Sequence, residues 1–216
     1  MAGKVTVNGD RVDKPGVLVF PDAPVEVAGS GNDWVSRGAL KLLKALNVFP
    51  FDPKDRICVD IGASTGGFTQ VLLSRGALRV YSVDVGYGQL AWQLRSDERV
   101  VVMERTNARN LLPDSFSEIP ERAVADASFI SLKLLLPAMD AFLSPHGEAV
   151  VLVKPQFEVG KGKVGKGGVV RSREDHIAVL EGILAFCSQE TSFRPYGMTF
   201  SPITGPMGNI EYLLYL

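Results

Sequence analysis

The feature that most constrains the fold of this 216-residue chain is a series of short, almost wholly apolar segments that alternate with amphipathic helical patterns. The apolar segments read RICVDIG, LRVYSVD, RVVVMER, RAVADAS and EAVVLVK, and the helical patterns cover residues 36–47, 67–75, 89–96 and 131–143. Strands that are buried on both faces carry such continuous apolar runs. The pattern therefore predicts an α/β fold with a parallel sheet covered by helices on both faces, which binds ligands at the carboxyl ends of its strands.

The two ends of the chain follow different patterns. The first thirty residues combine short β-like runs (KVTVN, VLVF, VEVA) with turn sequences (NGD, DKPG, PDAP), which predicts a small structure of hairpins. Near the C-terminus, a helix over 173–187 and closing strands over 193–200 and 211–216 complete the larger domain. We expect a small N-terminal segment at 1–30 and a main domain at 31–216.

Composition excludes several classes of protein. With 46% apolar and 22% charged residues, the chain is neither disordered nor fibrous. The two cysteines, Cys58 and Cys187, have no zinc-site or disulfide spacing, and His146 and His176 have no metal-site spacing, so we expect no metal. Because no apolar stretch approaches the roughly 18 residues that a span requires and no signal sequence is visible, we expect a cytoplasmic protein without membrane contact.

The densest motif is a glycine-rich turn between an apolar strand and a helix. Such a turn lets a ligand approach the backbone closely. A dinucleotide site requires a second glycine where this chain has serine, so the spacing D-x-G-x-x-x-G-G lies closer to turns that bind S-adenosylmethionine. The candidate cofactor residues of the motif are Asp60, Gly62, Ser64, Thr65, Gly66, Gly67 and Phe68.

Polar residues close the next strands along the chain. Asp84 lies 22 residues after Gly62, at the position from which a carboxylate accepts hydrogen bonds from both ribose hydroxyls of an adenosine. Asn107 follows the third strand and could lie beside the adenine. A strand-end acid can also be a simple helix cap, but Asp60, Asp84 and Asn107 in succession favour one binding crevice.

Four charged residues suggest a reactive centre. Lys154 and Asp126 each end an apolar strand, Lys41 lies on the first helix, and Glu211 opens an otherwise apolar late strand. A lysine at the end of an apolar strand is costly unless it is paired. Two cations and two anions in one cleft predict a proton-handling site.

The tract VGKGKVGKGG contains five glycines and three lysines between residues 160 and 168. It is either a lid over the site or a disordered surface loop. Its string G-x-x-x-x-G-K imitates a phosphate-binding loop, but Gly167 replaces the required serine or threonine, so ATP hydrolysis is rejected.

A resemblance to a known family rests on eight collinear segments of the sequence: VSRGALKL, VDIGASTGGFTQVLL, VYSVDVGYGQL, ERTNAR, DASFISL, LVKPQFEVGKG, GVVR and SPITGPMGNIEY. The chain resembles the TlyA family, also called hemolysin A, of class I, FtsJ-like ribosomal RNA 2′-O-methyltransferases. The resemblance implies a Rossmann-like, mostly parallel seven-stranded sheet, S-adenosylmethionine as the cofactor, and ribosomal RNA or ribosomal subunits as the partner, with cytidine as the usual target. The family's Lys-Asp-Lys-Glu tetrad maps onto Lys41, Asp126, Lys154 and Glu211.

The strings AGKVTVNG, KPG and VEV resemble the second half of an S4 RNA-binding domain. Because the two helices that precede this part in S4 domains are missing here, we expect either a truncated chain or a degenerate module, and favour truncation. With a net charge of −1, RNA binding must come from local patches. The candidate RNA-binding residues are Arg11, Lys14, Arg37, Lys161, Lys163 and Lys166.

The resulting hypothesis is 2′-O-methylation of a ribose. Lys154 accepts the hydroxyl proton, Asp126 orients Lys154, and Lys41 and Glu211 balance the charge and hold the ribose. The alternative is a non-catalytic protein that binds RNA or the ribosome and retains a cofactor-binding fold. Methylation of a small molecule also stays open, although it would not explain the S4-like segment.

Overall fold

The computed structural model describes residues 5–12, 14, 16–27, 34–160 and 162–216. The chain divides into two compact units, Met1–Trp34 and Val35–Leu216.

The N-terminal unit contains a three-stranded antiparallel sheet. Its strands are β1 (Val5–Val7), β2 (Asp10–Arg11) and β3 (Val25–Val27), in the order β2-β1-β3. The turn between β1 and β2 has positive φ angles at Asn8 (53°) and Gly9 (84°), as the predicted Asn-Gly hairpin requires.

The sequence VLVF at 17–20, which we expected to be a β run, is not a strand. Leu18 is 98% exposed and Phe20 is 79% exposed. The segment lies between Gly16, a turn residue with a φ of 80°, and a turn closed by the hydrogen bond from the Ala23 N–H to the Phe20 carbonyl. Apolar β-branched residues form a strand only when a neighbouring strand is available to pair and pack with them. Within the described residues of this unit, 17–20 has no such partner.

The second unit is built on a seven-stranded sheet. Its strands are β4 (Ile57–Ile61), β5 (Arg79–Val83), β6 (Val100–Met103), β7 (Arg122–Ala125), β8 (Glu148–Val153), β9 (Gly197–Phe200) and β10 (Tyr212–Tyr215). The order is β6-β5-β4-β7-β8-β10-β9, in which the first five are parallel and β10 is antiparallel to both β8 and β9. The predicted mostly parallel sheet of a Rossmann-like fold is confirmed.

Six α-helices accompany this sheet among the described residues: α1 (Ala39–Val48), α2 (Gly67–Ser74), α3 (Trp92–Arg95), α4 (Leu132–Phe142), α5 (Pro155–Glu158) and α6 (Arg173–Glu190). The side chains of Ser131 and Ser172 cap α4 and α6 by accepting backbone N–H bonds. The helical pattern at 89–96 shortens to α3, because the Ala91 N–H bonds the Thr65 carbonyl and holds the preceding residues in a loop.

The two faces of the sheet are covered by different helices. Buried side chains of α4 and α6 share one apolar cluster with Val59 and Ile61 of β4. The intervening residue, Asp60, faces the other way and bonds Thr69 of α2. This alternation has the two-residue period of a β-strand.

In the described part of the chain, no helix is long and apolar enough to span a membrane. Cys58 and Cys187 are buried free thiols. The described residues contain no cluster of three His, Cys, Asp or Glu that could hold a metal ion.

Candidate active site

Two adjoining cavities open at the carboxyl ends of the parallel strands, where the strand order reverses between β4 and β7. Ligands of open α/β sheets bind at such a switch point. The first cavity has a volume of about 740 Å³ and the second of about 600 Å³. They share Gly62, Ser64, Asp126, Ser128 and Phe129 in their walls.

The turn after β4 forms part of both walls. Gly62 has a φ of +78°, and a Cβ atom at this position would lie 2.9 Å from the carbonyl oxygen of Asp126. Its N–H and that of Ala63 donate to the carbonyl of Val83 at 2.9 and 3.1 Å. Any larger residue would therefore be strained and would displace the chain that carries Asp126.

The rest of the glycine motif joins α2 to its neighbours. A Cβ at Gly66 would collide with the side chain of Leu94, and one at Gly67 would lie 3.0 Å from the Ala39 nitrogen. Thr65, Gly67 and Phe68 line the second cavity, whereas Gly66 lines neither. The two glycines thus allow α1 and α3 to approach the start of α2.

The structure does not bring Asp60 to the surface of either cavity. Asp60 is fully buried, and its Oδ2 accepts hydrogen bonds from the backbone N–H and the hydroxyl of Thr69 at 2.8 and 2.7 Å. Burial raises the pKa of Asp60 to about 7, and the Thr69 hydrogen bonds offset that effect only in part. These contacts tie α2 to the sheet, in contrast to the direct ligand contact expected from the sequence.

Asp84 and Asn107 both line the first cavity. Asp84 accepts the Ser64 N–H at 2.8 Å through Oδ2 and the Gly86 N–H at 2.7 Å through Oδ1. Each carboxylate oxygen retains a second lone pair for a ligand. Asn107 caps a 3₁₀ turn by accepting the Arg109 N–H at 3.1 Å. The apolar walls are formed by Ile61, Val83, Val85, Ala108, Ile130, Leu134 and Leu135.

The four charged residues nominated from the sequence meet in the second cavity. Lys41 Nζ lies 2.9 Å from Asp126 Oδ2 and 2.7 Å from Glu211 Oε2. Lys154 Nζ lies 2.6 Å from Asp126 Oδ1 and 2.9 Å from the hydroxyl oxygen of Ser128. Asp126 therefore bridges the two lysines.

This cluster is charge-balanced and nearly dry. Lys41 and Lys154 are each 6% exposed and Glu211 is 1% exposed. Burial by itself lowers the pKa of Lys41, but the carboxylates of Asp126 and Glu211 outweigh it, so the pKa lies above its ordinary value. Lys41 is therefore a permanent cation at neutral pH.

Four different elements supply the cluster. Lys41 lies on α1, Asp126 follows β7, Lys154 follows β8, and Glu211 precedes β10. Parallel strands end at the same edge of the sheet, which explains why Asp126 and Lys154 lie close together. Glu211 reaches the same place because β10 runs antiparallel to β8, so its beginning lies beside the end of β8.

Sequence reasoning missed several residues of the site. Ser128 bonds Lys154, and Phe129 is 91% exposed in the wall common to both cavities, with a φ of 63°. The Phe129 ring lies 5.2 Å, between centroids, from that of Phe157. Their only signal in the sequence was the position of DASF directly after a strand.

The candidate RNA-binding residues belong to both units. Arg11, Lys14, Arg37 and Lys166 are exposed, and Lys161 lies outside the described residues. Lys163 pairs with Asp175 at 2.6 Å, which neutralises its charge. Val164 and Gly168 line the second cavity, so part of the glycine and lysine tract borders the charged cluster.

Comparisons with known proteins agree with this geometry. The family model described as FtsJ-like methyltransferase matches residues 34–216. The chain belongs to the FtsJ-like methyltransferase family. The family prediction, and with it the prediction that the chain is an enzyme, is confirmed.

Close relatives of this methyltransferase have informative names. The 16S/23S rRNA (cytidine-2′-O)-methyltransferase TlyA of Mycobacterium tuberculosis is 50% identical, over 100% of this chain and 80% of the relative. The protein YqxC of Bacillus subtilis, which carries an rRNA-methyltransferase name, is 52% identical, over 100% of this chain and 77% of the relative. A solved structure from Streptococcus thermophilus that carries a hemolysin name is 48% identical, with a TM-score of 0.84, and covers 100% of this chain and 78% of that chain.

Proposed function

We propose that this methyltransferase transfers a methyl group from S-adenosylmethionine to the 2′-hydroxyl of a ribose, a cytidine ribose above all, in ribosomal RNA. The observation that supports it most is the buried cluster of Lys41, Asp126, Lys154 and Glu211. This cluster lies in the second cavity, which adjoins the largely apolar first cavity. Buried ion-paired lysines beside a ligand cavity are typical of proton-transfer sites. The choice of ribosomal RNA as the substrate and of cytidine as the target follows the names of relatives.

The first cavity fits the proposed donor. Its volume of about 740 Å³ lies within the usual range for small-molecule sites, and its apolar walls suit a flat adenine. Asp84 would accept hydrogen bonds from the ribose hydroxyls, Asn107 would lie beside the base, and Gly62 keeps the crevice open. When bound, the donor supplies a methyl group on a positively charged sulfur, which departs as a neutral thioether.

The second cavity would hold the acceptor ribose. Lys154 acts in its amine form and takes the proton of the 2′-hydroxyl as the oxygen forms its bond to the methyl carbon. Asp126, at 2.6 Å, and Ser128, at 2.9 Å, orient the Lys154 nitrogen and stabilise the ammonium that results. General-base assistance of this kind contributes about 10²–10⁴-fold to the rate.

Lys41 and Glu211 have a different role in this proposal. The raised pKa of Lys41 keeps it protonated, so it holds Asp126 as a carboxylate throughout the reaction. Glu211 lies 2.7 Å from Lys41, and its carboxylate balances the positive charge of that lysine. While Lys154 is neutral the cluster carries one net negative charge, and the proton that Lys154 accepts restores the balance of two cations and two carboxylates.

We further propose that residues 1–30 form an S4-like RNA-binding segment and that 31–216 form the catalytic domain. Arg11 and Lys14 are exposed, as contacts to RNA phosphates require. The glycine and lysine tract, with Lys166 exposed, is proposed to border the RNA at the mouth of the second cavity.

The test uses radiolabelled S-adenosylmethionine and ribosomal subunits that lack 2′-O-methylation, followed by mapping of the labelled ribose. We expect the unmodified protein to label one class of ribose. The Lys54→Ala control should do the same, because exposed Lys54 lies before β4, at the edge of the sheet opposite the site. The Lys154→Ala variant should not. Donor binding without any labelled ribose would instead indicate the non-catalytic RNA-binding alternative.

A further inference from the structure

We propose that a groove beside the second cavity binds the phosphodiester and the nucleoside next to the methylated ribose in the RNA chain. This inference rests on the proposed function and extends it to a second substrate subsite. The groove has a volume of about 610 Å³. We call it the flanking groove, and its walls are Val169, Val170, Arg171, Arg173, His176, Met207, Gly208, Ile210 and Tyr212.

The flanking groove continues the second cavity along the same two loops. Met207 lines both spaces. On one loop Gly168 borders the second cavity and Val169 borders the groove; on the other, Glu211 borders the cavity and Ile210 borders the groove. A strand with one nucleotide in the cavity therefore has a direct continuation for the neighbouring nucleotide.

The charge of the groove suits a phosphate. Arg171 and Arg173 are both exposed in its wall, which contains no acidic residue. Within the described residues, neither arginine lies within 4.0 Å of a carboxylate. In contrast, several arginines outside the groove are paired with acids, namely Arg56, Arg79, Arg95, Arg99 and Arg122. A planar guanidinium without an acidic partner is a preferred ligand for a phosphate oxygen.

Two acids of the neighbouring helical turn do not compete for this role. Asp175 pairs with Lys163, and Glu174 accepts a hydrogen bond from the Ser172 hydroxyl at 2.9 Å. The two arginines thus remain available for an external anion.

The groove also offers apolar surface to a base. Met207 is 64% exposed and Ile210 is 51% exposed, and the Tyr212 ring lies in the same wall. A base that covers these side chains removes apolar area from water without reading the hydrogen-bonding edge of the base. We therefore expect this subsite to tolerate any of the four bases.

Buried polar side chains fix the two walls relative to each other. His176 contacts the Val170 carbonyl through Nε2 at 3.0 Å and the Tyr212 hydroxyl through Nδ1 at 2.8 Å. Because a carbonyl can only accept, Nε2 carries the hydrogen, and in the neutral ring Nδ1 accepts from the Tyr212 hydroxyl. Asn209 accepts the Val170 N–H at 3.0 Å and donates to the Gly168 carbonyl at 2.8 Å.

These four hydrogen bonds make the groove a preformed site. Asn209 is 2% exposed and His176 is 7% exposed, so water does not compete for their bonds. A preformed site loses less conformational entropy when it binds, which increases affinity.

The test measures fluorescence anisotropy of a fluorescein-labelled single-stranded RNA of about a dozen nucleotides with one cytidine, bound to protein saturated with S-adenosylhomocysteine. The variant is Arg171→Ala/Arg173→Ala. The charge-matched control is Arg75→Ala/Arg194→Ala, at two exposed arginines that line neither the cavities of the site nor the groove.

We expect the Kd of the groove variant to rise roughly tenfold or more, as loss of a charge-assisted phosphate contact predicts. The slope of log Kd against log salt should fall by about one to two. The control should change Kd by less than about twofold, and Arg171→Lys/Arg173→Lys should restore part of the affinity because it keeps the charge. Circular dichroism checks that all variants are folded.

A second arm replaces the phosphodiesters on both sides of the cytidine by neutral methylphosphonates. Unmodified protein should lose affinity for this RNA, whereas the groove variant should not distinguish it from the normal RNA. Equal losses in the groove variant and the control, equal sensitivity to methylphosphonate, or no measurable binding by the unmodified protein would each overturn the inference. Because these are binding measurements, they are independent of whether a ribose is methylated, so failure of the proposed function is seen separately in the labelling experiment.

Discussion

Replacement of Lys41 by methionine tests how the buried charged cluster is held together. The change removes the cation that lies 2.9 Å from Asp126 and 2.7 Å from Glu211 while it retains most of the apolar volume of the side chain. At an effective dielectric constant of about 20, each of these pairs attracts by roughly 6 kcal/mol before the cost of desolvation. Removal of one partner from a buried ion pair typically costs about 3–5 kcal/mol, because a buried charge is left uncompensated.

The size of the effect should depend on pH. In the unmodified protein the pKa of Lys41 is raised, so its stabilising contribution is complete below the unfolded-state pKa and is lost only in the alkaline range, as pH rises through the folded-state pKa. In the variant, two carboxylates face one lysine, and the folded protein takes up a proton that the unfolded chain does not bind at neutral pH. The stability of the variant should therefore rise as pH falls from about 8 to about 5.

Urea unfolding followed by circular dichroism at those two pH values measures this directly. We expect a loss of about 3–5 kcal/mol near pH 8 and a clearly smaller loss near pH 5. Lys54→Met, at an exposed position, should change stability by less than about 0.5 kcal/mol at both. Addition of Glu211→Gln to Lys41→Met should recover part of the loss. A loss below about 1 kcal/mol, or one independent of pH, would refute the reasoning.

Three further changes test other parts of the site. Lys154→Ala should lower the rate of methyl transfer at least about 10²-fold while the calorimetric Kd for S-adenosylmethionine stays within about twofold, and a rate near that of the unmodified protein would contradict the proton-acceptor role. Gly62→Ala should reduce stability by about 1–3 kcal/mol and weaken donor binding, because φ is +78° and the new methyl group would lie 2.9 Å from the Asp126 carbonyl; an unchanged melting temperature would argue against this strain. Asp60 has a folded-state pKa of about 7, so its stabilising contribution is present below the unfolded-state pKa of about 3.9 and is lost as pH rises through 7. Asp60→Asn should abolish up to about 4 kcal/mol of this pH-dependent loss of stability, so the melting temperature should change less between pH 4 and 8 than in the unmodified protein. An unchanged dependence of the melting temperature on pH would count against the raised pKa.

Much of the fold was predictable because its signals are local. Near-continuous apolar runs identified all five parallel strands, and their alternation with helical patterns implied the sheet. The segment 17–20 shows the limit of this reasoning. VLVF has strong β propensity, yet it does not form a strand, because propensity cannot show whether a partner strand is within reach.

The site was predictable where the fold imposes a common edge on strand ends, as for Asp126 and Lys154. Asp60 is the residue before the last in β4, and the two-residue alternation of this strand turns it toward Thr69, where it is buried. The face of the sheet that such a residue occupies depends on the register of the last residues of the strand. Its position near the end of a strand does not reveal that face. The structure also places Asp175 of α6 2.6 Å from Lys163, a pairing that the sequence did not predict.

The sequence alone determined the α/β class and the glycine turn, and it predicted that four charged residues belong together, because periodicity, turn chemistry and the cost of a charge in an apolar segment are properties of neighbouring residues. Only the tertiary structure decided that Asp126 bridges both lysines, that Asn209 and His176 join two loops, and that Arg171 and Arg173 face a groove without acids. Those relations join residues far apart in the chain, such as Lys41 and Asp126 with a separation of 85 residues. They depend on how helices and loops pack against the sheet, and side-chain distances are fixed only when that packing is complete.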